Sequence, residues 1–185
     1  MAFGIECARR FTWPAWSLAA ALLLTTPAAA DDASTCHNAS GSTALNACNR
    51  AIGSNRYSGN DLAKLYTSRG VELKMANRLM EAIADYDQAI ALNPTDHFAF
   101  NNRANARRDN KDIAGAIDDY TEALRLDPGY TAAYVNRARV YVRMNRIDLA
   151  RADFEQAVNR KPKYNNGPGS QRAAKEELAA LRLKR

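Results

Sequence analysis

Residues that carry chemistry are scarce in this 185-residue chain, which has two histidines, three cysteines and two tryptophans. His37 sits beside Cys36 and His97 stands alone, neither with a nucleophile or carboxylate at a recognisable catalytic spacing. There is no glycine-rich phosphate loop, no nucleophile elbow and no cluster of metal-ligand residues. "GPG" at 167–169 reads as a turn, and "SGND" at 58–61 as a loop that ends in a helix N-cap. These absences argue against an enzyme and predict neither a cofactor nor a bound metal.

Long apolar runs are missing as well. The longest, Ala15 to Leu24, is about ten residues, far short of the ~20 that span a bilayer. Arg9 and Arg10 precede it and "TPAAADD" follows, with Ala28 and Ala30 in a small-x-small pattern before Asp31. That grammar predicts a cleaved secretory signal over residues 1–30; a membrane anchor is the rival reading. Arg9-Arg10 also suggests the twin-arginine route, although its flanks support that poorly. Cleavage removes Cys7 and leaves Cys36 and Cys48, and an even pair in an exported chain reads as a disulfide. The loop it closes is short, so the gain is about 3 kcal/mol at most. Metal binding is the alternative, with only His37 nearby to help. A lipid on Cys36 fits poorly after the polar "DDAST", and "NAS" at Asn38 is a sequon only in a eukaryotic source. The expected location is therefore outside the cytoplasm, in the bacterial periplasm or beyond, with no transmembrane segment after cleavage.

Strong charge of one sign is absent from the body of the chain. The formal charge is +6, yet residues 160–185 hold eight basic and two acidic groups, and residues 31–159 are close to neutral at −1. A folded surface that binds nucleic acid carries its own basic stripe, so no nucleic-acid partner is expected. The basic tail is suited to an anionic lipid or an acidic partner.

What is present is repetition. "YDQAIALNP" at 86–94 returns as "YTEALRLDP" and again as "FEQAVNRKP", each 34 residues on. Aligned at that period, Tyr66, Phe100 and Tyr134 form one column and Gly70, Ala104 and Ala138 the next. Ala82, Ala116 and Ala150, then Tyr86, Tyr120 and Phe154, then Ala89, Ala123 and Ala157 follow, and Pro94, Pro128 and Pro162 close each unit. Each unit divides into two amphipathic stretches at helical spacing, joined by a polar turn such as "MANR" or "DNKD". Small residues let paired helices approach, aromatics fill the space beside them, and proline ends the second helix. One unit cannot bury its own apolar face, so the units must stack. In the third copy Leu92 and Leu126 become Arg160, and Ile83 and Ile117 become Arg151, as expected where the neighbours run out.

These columns resemble the tetratricopeptide repeat family over about 100 residues, specifically the secreted or periplasmic bacterial kind given the leader. The expected fold is an all-α, right-handed α-solenoid of helix-turn-helix repeats with a C-terminal capping helix. Its parts are the signal at 1–30, a degenerate N-terminal partial repeat with the Cys36–Cys48 link and a linker at 31–62, repeats at 63–96, 97–130 and 131–164, and a turn with a basic capping helix at 165–185. The linker "GSNRYSGND" is about four residues longer than the other junctions, and the last helix is expected over 171–183.

Two charged columns also recur. Arg69, Arg103 and Arg137 precede the small residue, and Asp85, Asp119 and Asp153 precede the aromatic. They read as a structural ion-pair ladder, the rival being an arginine binding stripe. The resemblance further implies that the first helices of the units line a concave groove for peptides. Carried over to this sequence, the groove comprises Lys64, Thr67, Val71 and Lys74, then Phe98, Asn101, Asn105 and Arg108, then Ala132, Val135, Arg139 and Arg143, with Asn102 and Asn136 alongside. Asparagines hold extended backbone and the basic groups favour an acidic segment or a carboxylate. The lysine-and-asparagine clamp of the chaperone-tail-binding members is not matched, since Thr67, Val71 and Ala132 stand at several of its places. The implied role is a non-catalytic scaffold or adaptor in the periplasm that binds a protein or peptide; the alternative is an envelope-associated factor whose basic tail contacts anionic polymer or lipid.

Overall fold

The computed structural model describes residues 28–161, 163–165 and 167–183. Most of the assigned signal segment (residues 1–27), Pro162, and Lys184 and Arg185 of the basic tail lie outside the described residues. The described elements are helices: α1 Ala28–Asn38, α2 Gly41–Gly53, α3 Gly59–Met75, α4 Leu79–Leu92, α5 His97–Asp109, α6 Ile113–Leu126, α7 Thr131–Arg143, α8 Ile147–Asn159 and α9 Gly167–Leu183. They pair as antiparallel hairpins, α1 with α2, α3 with α4, α5 with α6 and α7 with α8, and each hairpin packs on the next. The odd-numbered helices also touch one another in series, and α9 closes the array against α7 and α8. The fold is an all-α solenoid of helix-turn-helix repeats with a final capping helix.

The hairpin turns show how sequence sets this geometry. Asn77, Lys111 and Asn145, 34 residues apart, each take a left-handed backbone, with φ of 59°, 70° and 57°. The following amide reaches back five residues in every case, Arg78 to Leu73, Asp112 to Arg107 and Arg146 to Tyr141, at 2.8–2.9 Å. This double-bonded turn satisfies carbonyls that the helix end leaves open. Asparagine tolerates that backbone at low cost, whereas Lys111 adopts it with an ordinary Cβ and accepts some strain. Asp96 and Asp112 then cap the next helices, accepting from the amides of Phe98 and Ala99 and of Gly115.

The core follows the repeat columns. Ala82, Ala116 and Ala150, the rings of Tyr86, Tyr120 and Phe154, and Ala89, Ala123 and Ala157 are all inaccessible to solvent. A Cβ on Gly70 would fall 2.7 Å from Cε1 of Tyr86, so this unit needs glycine where the others carry Ala104 and Ala138.

Two boundaries differ from the sequence expectation. The four additional residues of the first linker form an extra N-terminal turn, giving α3 17 residues against 13 in α5 and α7. "GPG" at 167–169 is the first turn of α9 instead of a loop, because proline needs no amide partner there. No helix among the described residues is long and apolar enough to cross a membrane.

Candidate partner-binding face

The six ladder residues are joined in pairs within single hairpins. Arg69 grips Asp85 through Nε and Nη2 at 2.7 Å each, Arg103 grips Asp119 at 2.9 and 2.7 Å, and Arg137 grips Asp153 at 2.8 Å twice. The aspartates are buried. Each guanidinium also lies over the ring three residues earlier, 5.5 Å from Tyr66, 5.4 Å from Phe100 and 5.9 Å from Tyr134. The remaining Nη1 reaches back to the previous hairpin, to Asn49 (2.9 Å), Asp87 (2.7 Å) and Thr121 (2.8 Å). One arginine thus ties its own two helices together and tethers them to the preceding pair. These guanidinium donors are engaged inside the array, which leaves little of an arginine stripe for a ligand.

The odd helices, which the resemblance assigns to the concave groove, contact one another in series, and the expected groove residues on them fall into three groups. At the first, Lys64 is exposed and pairs with Asp61 at 3.0 Å, the Thr67 hydroxyl is buried, and Phe98 presents a partly exposed ring. In the middle, Asp109 takes both Lys74 (3.1 Å) and Arg108 (2.9 Å). Asn105 accepts from the Tyr120 hydroxyl at 2.7 Å, and burial pushes that phenol up to about 12. At the third, Arg139 meets Glu177 of α9 at 3.4 Å, and exposed Arg143 shares a shallow cavity with Arg139, Val142 and Glu177. Asn101 is not offered to a ligand. It is buried, donating to the Tyr130 hydroxyl at 3.3 Å and accepting from Asn136 at 3.1 Å. Asn101, Asn105 and Asn136 are therefore engaged in contacts within the fold.

A cluster that sequence reasoning missed lies where the hairpins join. The rings of His97, Phe98, Tyr130 and Tyr164 contact one another with centroids 4.1–5.5 Å apart. Asp127 is their polar hub, accepting from the Tyr164 hydroxyl, from Lys163 at 3.1 Å and from the Gly129 amide at 2.9 Å. Burial lowers the His97 pKa despite Asp127 and Asp96 nearby, which favours the neutral imidazole. The spacing of Tyr130 and Tyr164, one repeat apart, was the available signal.

Cys36 and Cys48 form a disulfide between α1 and α2. Among the described residues no group of three or more histidines, cysteines or carboxylates could hold a metal ion.

Helical hairpins repeating every 34 residues and stacked through small and aromatic columns define a class of interaction scaffold. Tetratricopeptide repeat models match residues 63–96 and 107–166, together just over half of the chain, and the chain belongs to that family. No curated protein sequence matches it. Its fold is similar to the first tetratricopeptide domain of human RPAP3 (Spaghetti) bound to the HSP90 peptide SRMEEVD, at 24% identity and a TM-score of 0.55, covering 65% of this chain and 98% of that one. It is likewise similar to the TPR2B domain of yeast Sti1 in complex with pHsp70 (24%, 0.60, covering 66% and 98%). A third is the Sgt2 domain of Aspergillus fumigatus (18%, 0.56, covering 68% and 84%).

These similarities correct four connected expectations. The solved relatives are eukaryotic domains, two of them bound to chaperone segments, and not secreted or periplasmic bacterial proteins. The secreted bacterial subtype, the periplasmic adaptor role, the exported location and the signal assignment that led to them are accordingly withdrawn. The envelope-tail alternative falls with them.

Proposed function

We propose that the chain is a non-catalytic interaction module that binds an acidic segment of a partner protein along its concave face. The carrying observation is the packing of the odd helices side by side, with Lys64, Arg139 and Arg143 exposed on them. Support comes from the relatives, one of which holds the peptide SRMEEVD, with three acidic residues among seven. Lys64 and Arg139 pair with solvent-accessible carboxylates, and pairs of that kind in water exchange partners at little cost. Opposite charge also steers encounter and fixes register.

The test is fluorescence anisotropy with labelled acidic heptapeptides, SRMEEVD among them, at two salt concentrations. Charge reversal by Arg139→Glu with Arg143→Glu is expected to weaken binding at least tenfold, and added salt to weaken the parent. Binding unchanged by the double reversal would overturn the reading.

A further inference from the structure

Leu73, Arg107 and Tyr141 occupy one repeat column on α3, α5 and α7. In the second repeat, Arg107 Nη1 donates to Asp119 Oδ2 at 2.9 Å, beside the Nε of Arg103, and its own Nε lies 3.8 Å from Asp112. One buried carboxylate therefore takes two guanidinium groups there. In the third repeat, Tyr141 packs partly buried against the core. Leu73 is shorter than either, and at its place the seam between the first and second hairpins stays open. A cavity of about 290 Å³ remains, with Leu45 of α2, Leu73 and Ala84 on its walls and Asp85 and Glu81 as its acidic groups. Asp85 takes only the guanidinium of Arg69, one donor on each oxygen. A carboxylate oxygen accepts two hydrogen bonds, as Asp119 Oδ2 does one repeat further on. The two cations of the lining are placed differently. Arg69 is committed to Asp85 and Asn49. Arg78 is held by Glu81 at 2.6–2.7 Å, but at the surface, where the two side chains are 50% and 57% exposed and their pairing is weak.

We infer that this cavity binds an arginine side chain of a partner protein, which takes the place that Arg107 fills in the second repeat. Its guanidinium joins Asp85 and displaces Arg78 from Glu81, and its methylene stem lies on Leu45 and Leu73. The charges balance in that state. Arg69 neutralises Asp85, Arg78 swings into water, and Glu81 becomes the counter-charge that the incoming cation meets. Two features select arginine in particular. Its planar fork bridges two carboxylates, which an ammonium does as a single point, and its stem is apolar enough to cover leucine. The template is internal, since the same fold already seats a guanidinium at the equivalent place. The site is independent of the groove reading, because no residue lining this cavity belongs to the groove set.

The probes are three end-blocked tripeptides with glycine on both sides of arginine, lysine or citrulline, the last a neutral isostere of arginine. They are titrated against the isotope-labelled full chain and followed by nuclear magnetic resonance. The arginine peptide is expected to bind about tenfold more tightly than the other two, or better, and to shift the Arg69 Nε–H signal. Leu73→Arg supplies the guanidinium from the chain itself and should abolish that binding. Leu73 is buried, so Glu81→Gln, at the surface, is the companion variant and should weaken binding several-fold. Arg78→Ala removes the competitor for Glu81 and should tighten it several-fold. No binding of the arginine peptide, equal binding of the citrulline peptide, or an Arg78→Ala variant that binds no better overturns the inference. So does free arginine binding where the blocked arginine peptide does not, since the occupant would then be a small molecule and not a protein side chain.

Discussion

The first hairpin and the three that follow solve one packing problem in different ways. In α3–α4, α5–α6 and α7–α8, a fully buried ring fills the seam and a bidentate arginine–aspartate pair joins the two helices. In α1–α2, Cys48 stands in the ring's column, equally buried, and its bond to Cys36 joins the helices instead. Ala47 occupies the ladder's aspartate position there, so the buried rung is missing; Arg50 of α2 still grips Asp32 of α1, but from a largely exposed guanidinium at the surface. With a cysteine where the other hairpins carry a ring, its seam buries less apolar surface, and a crosslink that restricts the unfolded chain makes up part of the deficit. Repetition permits noncovalent stapling wherever a neighbour stacks on both sides; the end of an array does not have that support.

The largest effect should come from breaking a rung in the middle. Asp119 receives both Arg103 and Arg107, so Asp119→Ala leaves two guanidinium groups facing a buried gap. The expected loss is about 3–5 kcal/mol in urea unfolding followed by circular dichroism. A cycle with Arg103→Ala should show strong coupling, and additive losses would mean that the pair does not bind the two helices together.

Removing the crosslink tests the other side. Cys36→Ala with Cys48→Ala closes no loop and should cost about 3 kcal/mol or less. Its signature matters more than its size. Hydrogen exchange should quicken in α1 and α2 while α5 to α8 keep their protection, as nearest-neighbour stability predicts. Uniform loss of protection along the chain would contradict the contrast drawn here.

A smaller effect compares two rings of one column. The Tyr120 hydroxyl donates to Asn105, whereas the Tyr86 hydroxyl is buried without a partner. Tyr120→Phe should therefore destabilise by about 1 kcal/mol, and Tyr86→Phe should be neutral or stabilising. The third unit already carries Phe154 at this position. Equal losses at the two sites would show that the column is uniform and that the hydroxyls play no separate part.

The fold was legible because it is written three times. Each column had three instances, and chance does not supply that at one fixed period. The groove was legible only in outline. Which side chains lie on the odd helices follows from helical spacing, but Asn101 and Asn105 were spent on Tyr130 and Tyr120, contacts between helices that no periodicity shows. His37 was invisible as a neighbour of Lys64, Thr67 and Phe98 in one cavity, since it enters from a hairpin outside the clear repeats. The location was misread for a different reason. That reading rested on residues 1–30, most of which lie outside the described residues, and on none of the repeat columns.

The smallest prediction asks whether the first hairpin belongs to the ladder at all. Arg103 and Arg137 reach back 16 residues to Asp87 and Thr121, whereas Arg69 reaches back 20 to Asn49. The difference of four matches the extra turn at the start of α3, so α2 sits in the register of a normal second helix despite its altered core. Asn49→Ala removes one partly exposed hydrogen bond and should cost about 0.5–1 kcal/mol. The informative quantity is its coupling to the crosslink. If both tether the same hairpin, deleting the disulfide frays α2 and the Asn49 contact loses its value, so Asn49→Ala in the cysteine-free background should cost less than in the parent. Identical costs in the two backgrounds would show that Arg69 holds α2 in place without help from Cys36, and the first hairpin would then differ from the others in its filling alone.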